Sequence, residues 1–276
     1  MTGARLAVSA ITLDFGNTLV RVDRPGLRDV VNETADGLTA RGIIGDRASF
    51  VAAWAEERDR QFREEVPHLR ETDIEQRAVR VLARLRGMAP PPPDVLWDDR
   101  AAATLVRPEE VAAAIDMYSA AFLACMVPVA DARMALERLA GRGFALAILS
   151  NWPLAVTIDR YAEAHGWLPY LRAIVVSQRV GVIKPHPAIF RAAERELGLG
   201  AGADILHVGD DWAADVVGGS RAGWRTAYLR DRQEDTPLPT SSRGDGADGA
   251  GSAAVIPDLE IDDLADLDAL VEVQGG

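Results

Sequence analysis

The chain has 276 residues, 48% of them hydrophobic, enough to bury at least one full core. Its formal net charge of -12 repels nucleic-acid backbones and anionic membrane surfaces and excludes both as general partners, whereas a small phosphorylated ligand stays open if a cation and local bases screen it. Cys125 is the single cysteine, which excludes an intramolecular disulfide and a zinc site built on thiolates and predicts a cytoplasmic protein.

The first element is an apolar, β-branched run over 7–13, as in a strand buried on both faces of a parallel sheet. It is far shorter than the roughly 20 residues that span a bilayer, and Asp14 closes it. No secretion or anchoring signal is visible. The next hundred or so positions change character. Leu27, Val30, Thr34 and Leu38 recur at helical spacing, as do Phe50, Trp54 and Phe62, then Ile74, Ala78, Leu82 and Leu85. A proline tract at 90–93 interrupts the pattern as a stiff linker. Pro108, Glu109 and Glu110 then mark the start of a helix that carries Ile115, Tyr118 and Phe122 on one face.

From Pro128 onward strands and helices alternate. The spacing predicts helices over 132–140, 154–165, 188–197 and 213–222 and strands over 144–149, 173–176, 205–208 and 226–229. That alternation predicts βαβ units, hence an α/β protein with a doubly wound parallel sheet. Residues 1–20 and 128–276 form the core, and 21–127 an inserted all-helical domain. The stretch 235–253, rich in Gly, Ser, Asp and Ala, reads as a disordered surface loop. Leu264, Leu267 and Leu270 predict a closing helix docked on the core.

Ligands of open α/β sheets bind at the carboxyl ends of the strands. The residues there are Asp14, Ser150 with Asn151, Lys184, and Asp210 with Asp211. Ser150 and Lys184 can donate to phosphate oxygens, and Asp14, Asp210 and Asp211 can hold a hard cation that bridges the same phosphate. Magnesium fits this donor set, because it takes few carboxylates and completes its shell with water and substrate oxygens.

As a set, these pieces resemble the haloacid dehalogenase superfamily. The matches are Asp14-Phe15-Gly16-Asn17-Thr18 after the first strand, Ser150-Asn151, Lys184-Pro185, and Gly209-Asp210-Asp211 with Asp215. The resemblance implies a Rossmann-like core with a C1-type helical cap that covers the cleft and selects the leaving group. It implies Asp14 as a nucleophile that passes through an aspartyl phosphate, Ser150, Asn151 and Lys184 as phosphate holders, and magnesium held by Asp14, the Gly16 carbonyl, Asp210 and Asp211. Thr18 and Asp215 would lend support. Phosphatases of the family carry a second aspartate two residues after the nucleophile, to protonate the leaving oxygen, and here that position is Gly16. Loss of a general acid costs about 10² to 10⁴ in rate.

The expected activity is magnesium-dependent hydrolysis of a small phosphorylated metabolite. Its rivals are metal-independent 2-haloacid dehalogenation and a non-catalytic phosphate- or partner-binding role. The charged run over 56–65 reads as a solvated helix face. His207 has no metal spacing with other ligands, and Trp54, Trp97 and Trp212 suit packing or a pocket wall. Neither substrate nor oligomeric state can be read from the sequence.

Overall fold

In the computed structural model, which describes residues 5–200, 203–230, 235, 236, 238, 241 and 255–274, the first apolar run is two strands. β1 (Leu6–Val8) and β2 (Ala10–Leu13) are separated by a bend at Ser9. The two halves have different partners, and Ser9 fixes the break by donating from its amide to the Asp204 carbonyl at 2.8 Å and from its hydroxyl to Gln274 at 2.9 Å.

β3 (Val20–Arg21) leads into α1 (Arg24–Ala40), α2 (Arg47–Glu65), α3 (Ile74–Leu85), α4 (Asp99–Thr104) and α5 (Pro108–Cys125). β4 (Val127–Pro128) then pairs antiparallel with β3. Next come α6 (Ala132–Gly141), β5 (Ala145–Ser150), α7 (Ala155–Ala164), β6 (Ala173–Val176), α8 (Ser177–Val180), α9 (Pro187–Leu197) and β7 (Ile205–Gly209). A π-helix over Trp212–Val217, α10 (Gly218–Arg221), β8 (Arg225–Leu229), β9 (Leu259–Ile261), α11 (Leu267–Leu270) and β10 (Val271–Val273) complete the described chain. Among the described residues no helix is long and apolar enough to cross a membrane.

The chain divides into two units, Met1–Asp23 with Val127–Gly276, and Arg24–Met126. The first is built on a six-stranded parallel sheet in the order β6-β5-β2-β7-β8-β9. Counting only its own strands along the chain, that order is 3-2-1-4-5-6, the Rossmann-like doubly wound arrangement. Winding reverses between β2 and β7, so the crevice at their carboxyl ends is the place the topology reserves for a ligand. β2 and β7 are buried along their whole length, as central strands covered on both faces must be. β9 and β10 were not anticipated from the sequence. They flank the closing turn of helix, and β10 pairs in parallel with β1.

The second unit is all-helical. Val30, Thr34 and Leu38 of α1 are buried, and the Trp54 ring of α2 stacks between Phe50 at 5.4 Å and Tyr118 of α5 at 5.7 Å. The charged run over 56–65 is solvated only in part: Glu56, Arg58, Asp59 and Arg63 are exposed. Glu57, Arg60 and Gln61 are buried, and each has a partner: Arg84 donates to Glu57 at 2.9 Å, Arg60 to Glu64 at 2.8 Å and to the Pro91 carbonyl at 2.7 Å, and Arg77 to Gln61 at 2.9 Å. Arg77 also lies 5.5 Å over the Trp54 ring, and burial lowers its guanidinium to about 10.

Candidate active site

Asp14 follows β2, and its amide donates to the carbonyl of Val208 in β7 at 2.9 Å, which stitches the two strands together at the switch point. The next residue, Phe15, has no exposed surface and meets the edges or faces of Trp152, Tyr161 and Trp167 at ring-centre distances of 5.6, 5.5 and 6.4 Å. This aromatic seat holds the backbone beside Asp14. Asn17 then takes a left-handed conformation (φ 58°), which asparagine tolerates better than most residues, and its Oδ1 accepts from the Val22 amide at 3.2 Å. Thr18 is fully buried, and its hydroxyl has no partner among the described residues.

Lys184 is buried, and its ammonium donates to Asp14 Oδ1 at 2.9 Å, Asp215 Oδ1 at 2.7 Å and the Leu149 carbonyl at 2.8 Å. An ammonium has three protons, so these acceptors use all of them and fix its position. Burial opposes its charge, but the Asp14 and Asp215 carboxylates outweigh that and raise the group above the ordinary lysine range. Asn151 holds the other end: its Oδ1 accepts from the Lys184 amide at 2.6 Å and its Nδ2 donates to the Lys184 carbonyl at 3.1 Å. Both arms of the Asn151 amide are thus occupied by one backbone residue. Ser150 closes β5 and is 1% exposed.

Asp14, Asp210 and Asp215 each offer an oxygen within 4.8 Å of the others. The trio differs from the expected ligand set, in which Asp211 stood with Asp14 and Asp210. Asp211 caps the π-helix instead: its Oδ1 accepts from the Ala214 amide at 2.7 Å and the Ser241 hydroxyl at 2.6 Å, and its Oδ2 from the Ser241 amide at 2.7 Å. Burial, with the Asp215 charge adding to it, raises the Asp211 carboxyl against these donors. The Asp215 carboxylate is turned inward. Besides Lys184 it faces His207 Nε2 at 3.0 Å, and its Oδ2 accepts from the Asp211 amide at 2.9 Å. Burial works against its charge, yet Lys184 and His207 prevail and hold it well below the usual carboxylate range.

His207 is a site residue that spacing could not find. It is fully buried in β7, opposite Thr12 in the β2 register, and its Nδ1 lies 2.8 Å from the Thr12 hydroxyl. With Nε2–H given to the carboxylate, Nδ1 accepts from Thr12, so a hydrogen-bonded chain runs Thr12, His207, Asp215, Lys184, Asp14 through the sheet. Gly209 lets Asp215 approach. A Cβ there would stand 2.1 Å from Asp215 Oδ2.

Burial raises the Asp14 carboxyl, Asp215 pushes it the same way, and Lys184 opposes them. Three clustered carboxylates against one ammonium leave an excess of buried negative charge. An all-oxygen donor set of this kind fits a hard divalent cation.

The stretch 235–253 differs from a free surface loop where it is described. Residues 237, 239, 240 and 242–253 lie outside the described residues. Thr236 is buried and accepts from Asn17 Nδ2 at 3.1 Å, and Ser241 is bound to Asp211. Leu238 Cδ1 lies 2.6 Å from where a Cβ on Gly16 would be. Trp212 packs edge-on to Tyr228 at 5.3 Å and is a packing residue.

This fold and site define a hydrolase class, and the family comparison agrees. The haloacid dehalogenase-like hydrolase model matches residues 8–223, and the chain belongs to that family. It is 32% identical over 155 residues to a glyceraldehyde 3-phosphate phosphatase of Methanopyrus kandleri, covering 56% of this chain and 61% of that one. It is 30% identical over 165 residues to a ribulose-1,5-bisphosphate 5-phosphatase of Halopiger xanaduensis, covering 60% and 65%. These alignments span less than two thirds of either relative. Among solved structures, a 2-haloacid dehalogenase from Pseudomonas syringae superposes with a TM-score of 0.59 at 20% identity, covering 95% of this chain and 97% of that one, a likeness of fold.

Proposed function

We propose that the chain is a magnesium-dependent phosphatase of small phosphorylated metabolites, with Asp14 as the nucleophile. The observation that carries this reading is the buried Lys184 ammonium, bonded at once to Asp14, Asp215 and Leu149 beside Asp210 at the sheet's switch point. Relatives named as phosphatases support hydrolysis of a phosphoryl group as the reaction.

Asp14, the Gly16 carbonyl and Asp210 would hold the ion, with Asp215 behind them. Bound there, magnesium supplies charge neutralisation on the transferring phosphoryl group. Asp14 presents its second carboxylate oxygen to phosphorus while Lys184 grips the first. Attack forms an aspartyl phosphate as the bond from phosphorus to the leaving oxygen breaks and its electron pair departs with that oxygen; water then attacks phosphorus, both its protons leave with the inorganic phosphate, and the Asp14 carboxylate is restored. Ser150 donates to the phosphate oxygens. Asn151, committed to the Lys184 backbone, acts by placing that lysine.

The test is a phosphate panel assayed with and without magnesium on wild type and Asp14→Asn. Turnover that requires magnesium and falls by about 10³ or more in the variant is expected, since an amide cannot serve as the nucleophile. Turnover of a 2-haloacid without magnesium, and of no phosphate, would replace this reading by dehalogenation, which Gly16 also permits. Unchanged turnover in a folded Asp14→Asn would remove the nucleophile.

A further inference from the structure

We infer that Leu238, held in place by its neighbours Thr236 and Ser241, fills the position of a leaving-group acid and restricts the site to phosphates whose leaving group departs without a proton, acyl phosphates above all. The inference rests on the phosphatase reading and narrows its substrate class.

Gly16 alone would leave room for water or a substrate hydroxyl to act as proton donor. Leu238 takes up part of that room. Leu238 Cδ1 stands 2.6 Å from an ideal Cβ on Gly16, with Trp152 and Val22 carbons at 3.9 Å, so a side chain leaving Gly16 would meet apolar carbons. Leu238 is tethered on both sides. Upstream, Thr236 accepts from Asn17, the residue after Gly16, and its hydroxyl also accepts from the Leu238 amide at 3.3 Å. Downstream, Ser241 binds both oxygens of Asp211. Contacts to both catalytic loops thus accompany the Leu238 methyl that stands where a side chain at position 16 would begin.

The chemistry then turns on the leaving oxygen. When an Asp14 oxygen bonds to phosphorus, the bond from phosphorus to the leaving oxygen breaks and its electron pair stays on that oxygen. From an alkyl phosphate this gives an alkoxide, about as basic as hydroxide, and it needs a proton as it forms. From an acyl phosphate it gives a carboxylate, whose parent acid has a pKa of about 4 and which leaves unprotonated.

The experiment compares acetyl phosphate, para-nitrophenyl phosphate and ethyl phosphate in magnesium, using wild type, Gly16→Asp, Leu238→Ala and the double variant, each checked for folding by its thermal transition. Wild type is expected to hydrolyse acetyl and para-nitrophenyl phosphate with kcat/KM at least about 10² above ethyl phosphate, the size of a missing general acid. The double variant should raise ethyl phosphate turnover by about 10² and more than Gly16→Asp alone, because the new carboxylate needs the space Leu238 occupies. Trapped aspartyl phosphate, read by mass spectrometry after acid quench, should build up with acetyl phosphate in wild type. Ethyl phosphate turned over within about tenfold of acetyl phosphate by wild type would overturn the inference and leave the phosphatase reading standing. So would Gly16→Asp matching the double variant. No turnover of any of the three removes both.

Discussion

At the scale of single residues, the site depends on close approach as much as on charge. Gly209 ends β7 directly against the Asp215 carboxylate, where a methyl group would stand 2.1 Å from one oxygen and 2.3 Å from the carboxyl carbon. Asp215 cannot retreat, because Lys184, His207 and the Asp211 amide hold its two oxygens. Gly209→Ala should therefore cost about 1–3 kcal/mol in urea unfolding, the usual range for overpacking. It should also lower kcat, because Asp215 positions Lys184. A variant with wild-type stability and kcat would show that Asp215 shifts freely. Asp14, Lys184 and Asp210, which the structure brings together, were legible in the sequence because each stands where an apolar strand ends, or in the short loop before a helix. His207, Thr236, Leu238 and Ser241 were not, since nothing local marks a histidine inside a strand or a leucine in a polar stretch. Their partners lie far away in the chain: His207 and Thr12 are 195 residues apart, and Thr236 and Asn17 are 219 apart.

At the scale of elements, the signals that survived into the structure are the short-range ones. Pro108 at the first helical position and Glu110 two residues on predicted the start of α5, and the helix begins there. The missed features are those set by tertiary pairing: the bend at Ser9, the strand β10 that β1 pairs with, and the π-helix. In the π-helix the Asp215 amide bonds the Asp211 carbonyl at 2.9 Å while the Val216 amide reaches the same carbonyl at 3.4 Å, a widening that α-helical periodicity does not encode. The cap of α5 carries its own prediction. Glu110 is buried and accepts from the Arg107 amide at 2.9 Å, the Arg107 guanidinium at 2.8 Å and the Arg86 guanidinium at 2.7 Å. The Arg107 hydrogen bond leads in lowering its carboxyl to about 2, against burial, with Arg86 adding to it. A carboxyl depressed in the folded state stabilises above its unfolded value, near about 4.3, and that contribution fades as pH falls through the folded value. The stability difference between wild type and Glu110→Gln should be full at pH 7 and shrink steadily between about pH 4.3 and pH 2. A pH-independent difference in urea melts would assign the effect to packing alone.

At the scale of the whole molecule, the site exists only when the parallel sheet is complete. Lys184 and Asp14 are 170 residues apart, and Asp210 comes from the strand across the switch point, so no local segment can assemble the acidic trio. The unfolded chain, with a net charge of -12 spread along its length, offers a magnesium ion local carboxylates but not the assembled trio. The proposed ion should therefore bind the folded α/β unit and barely bind the unfolded chain, which makes it a stabiliser by mass action. At a free magnesium concentration about one hundred times Kd, unfolding should cost about 2.7 kcal/mol more than in chelator. Asp210→Asn should reduce that increment strongly, because it removes a ligand charge while leaving the Lys184 network to Asp14 and Asp215 in place. The paired urea melts, wild type and Asp210→Asn with magnesium and with chelator, need no substrate. An increment absent in wild type would show that the acidic trio holds no magnesium, and the magnesium-dependent mechanism would fall with it.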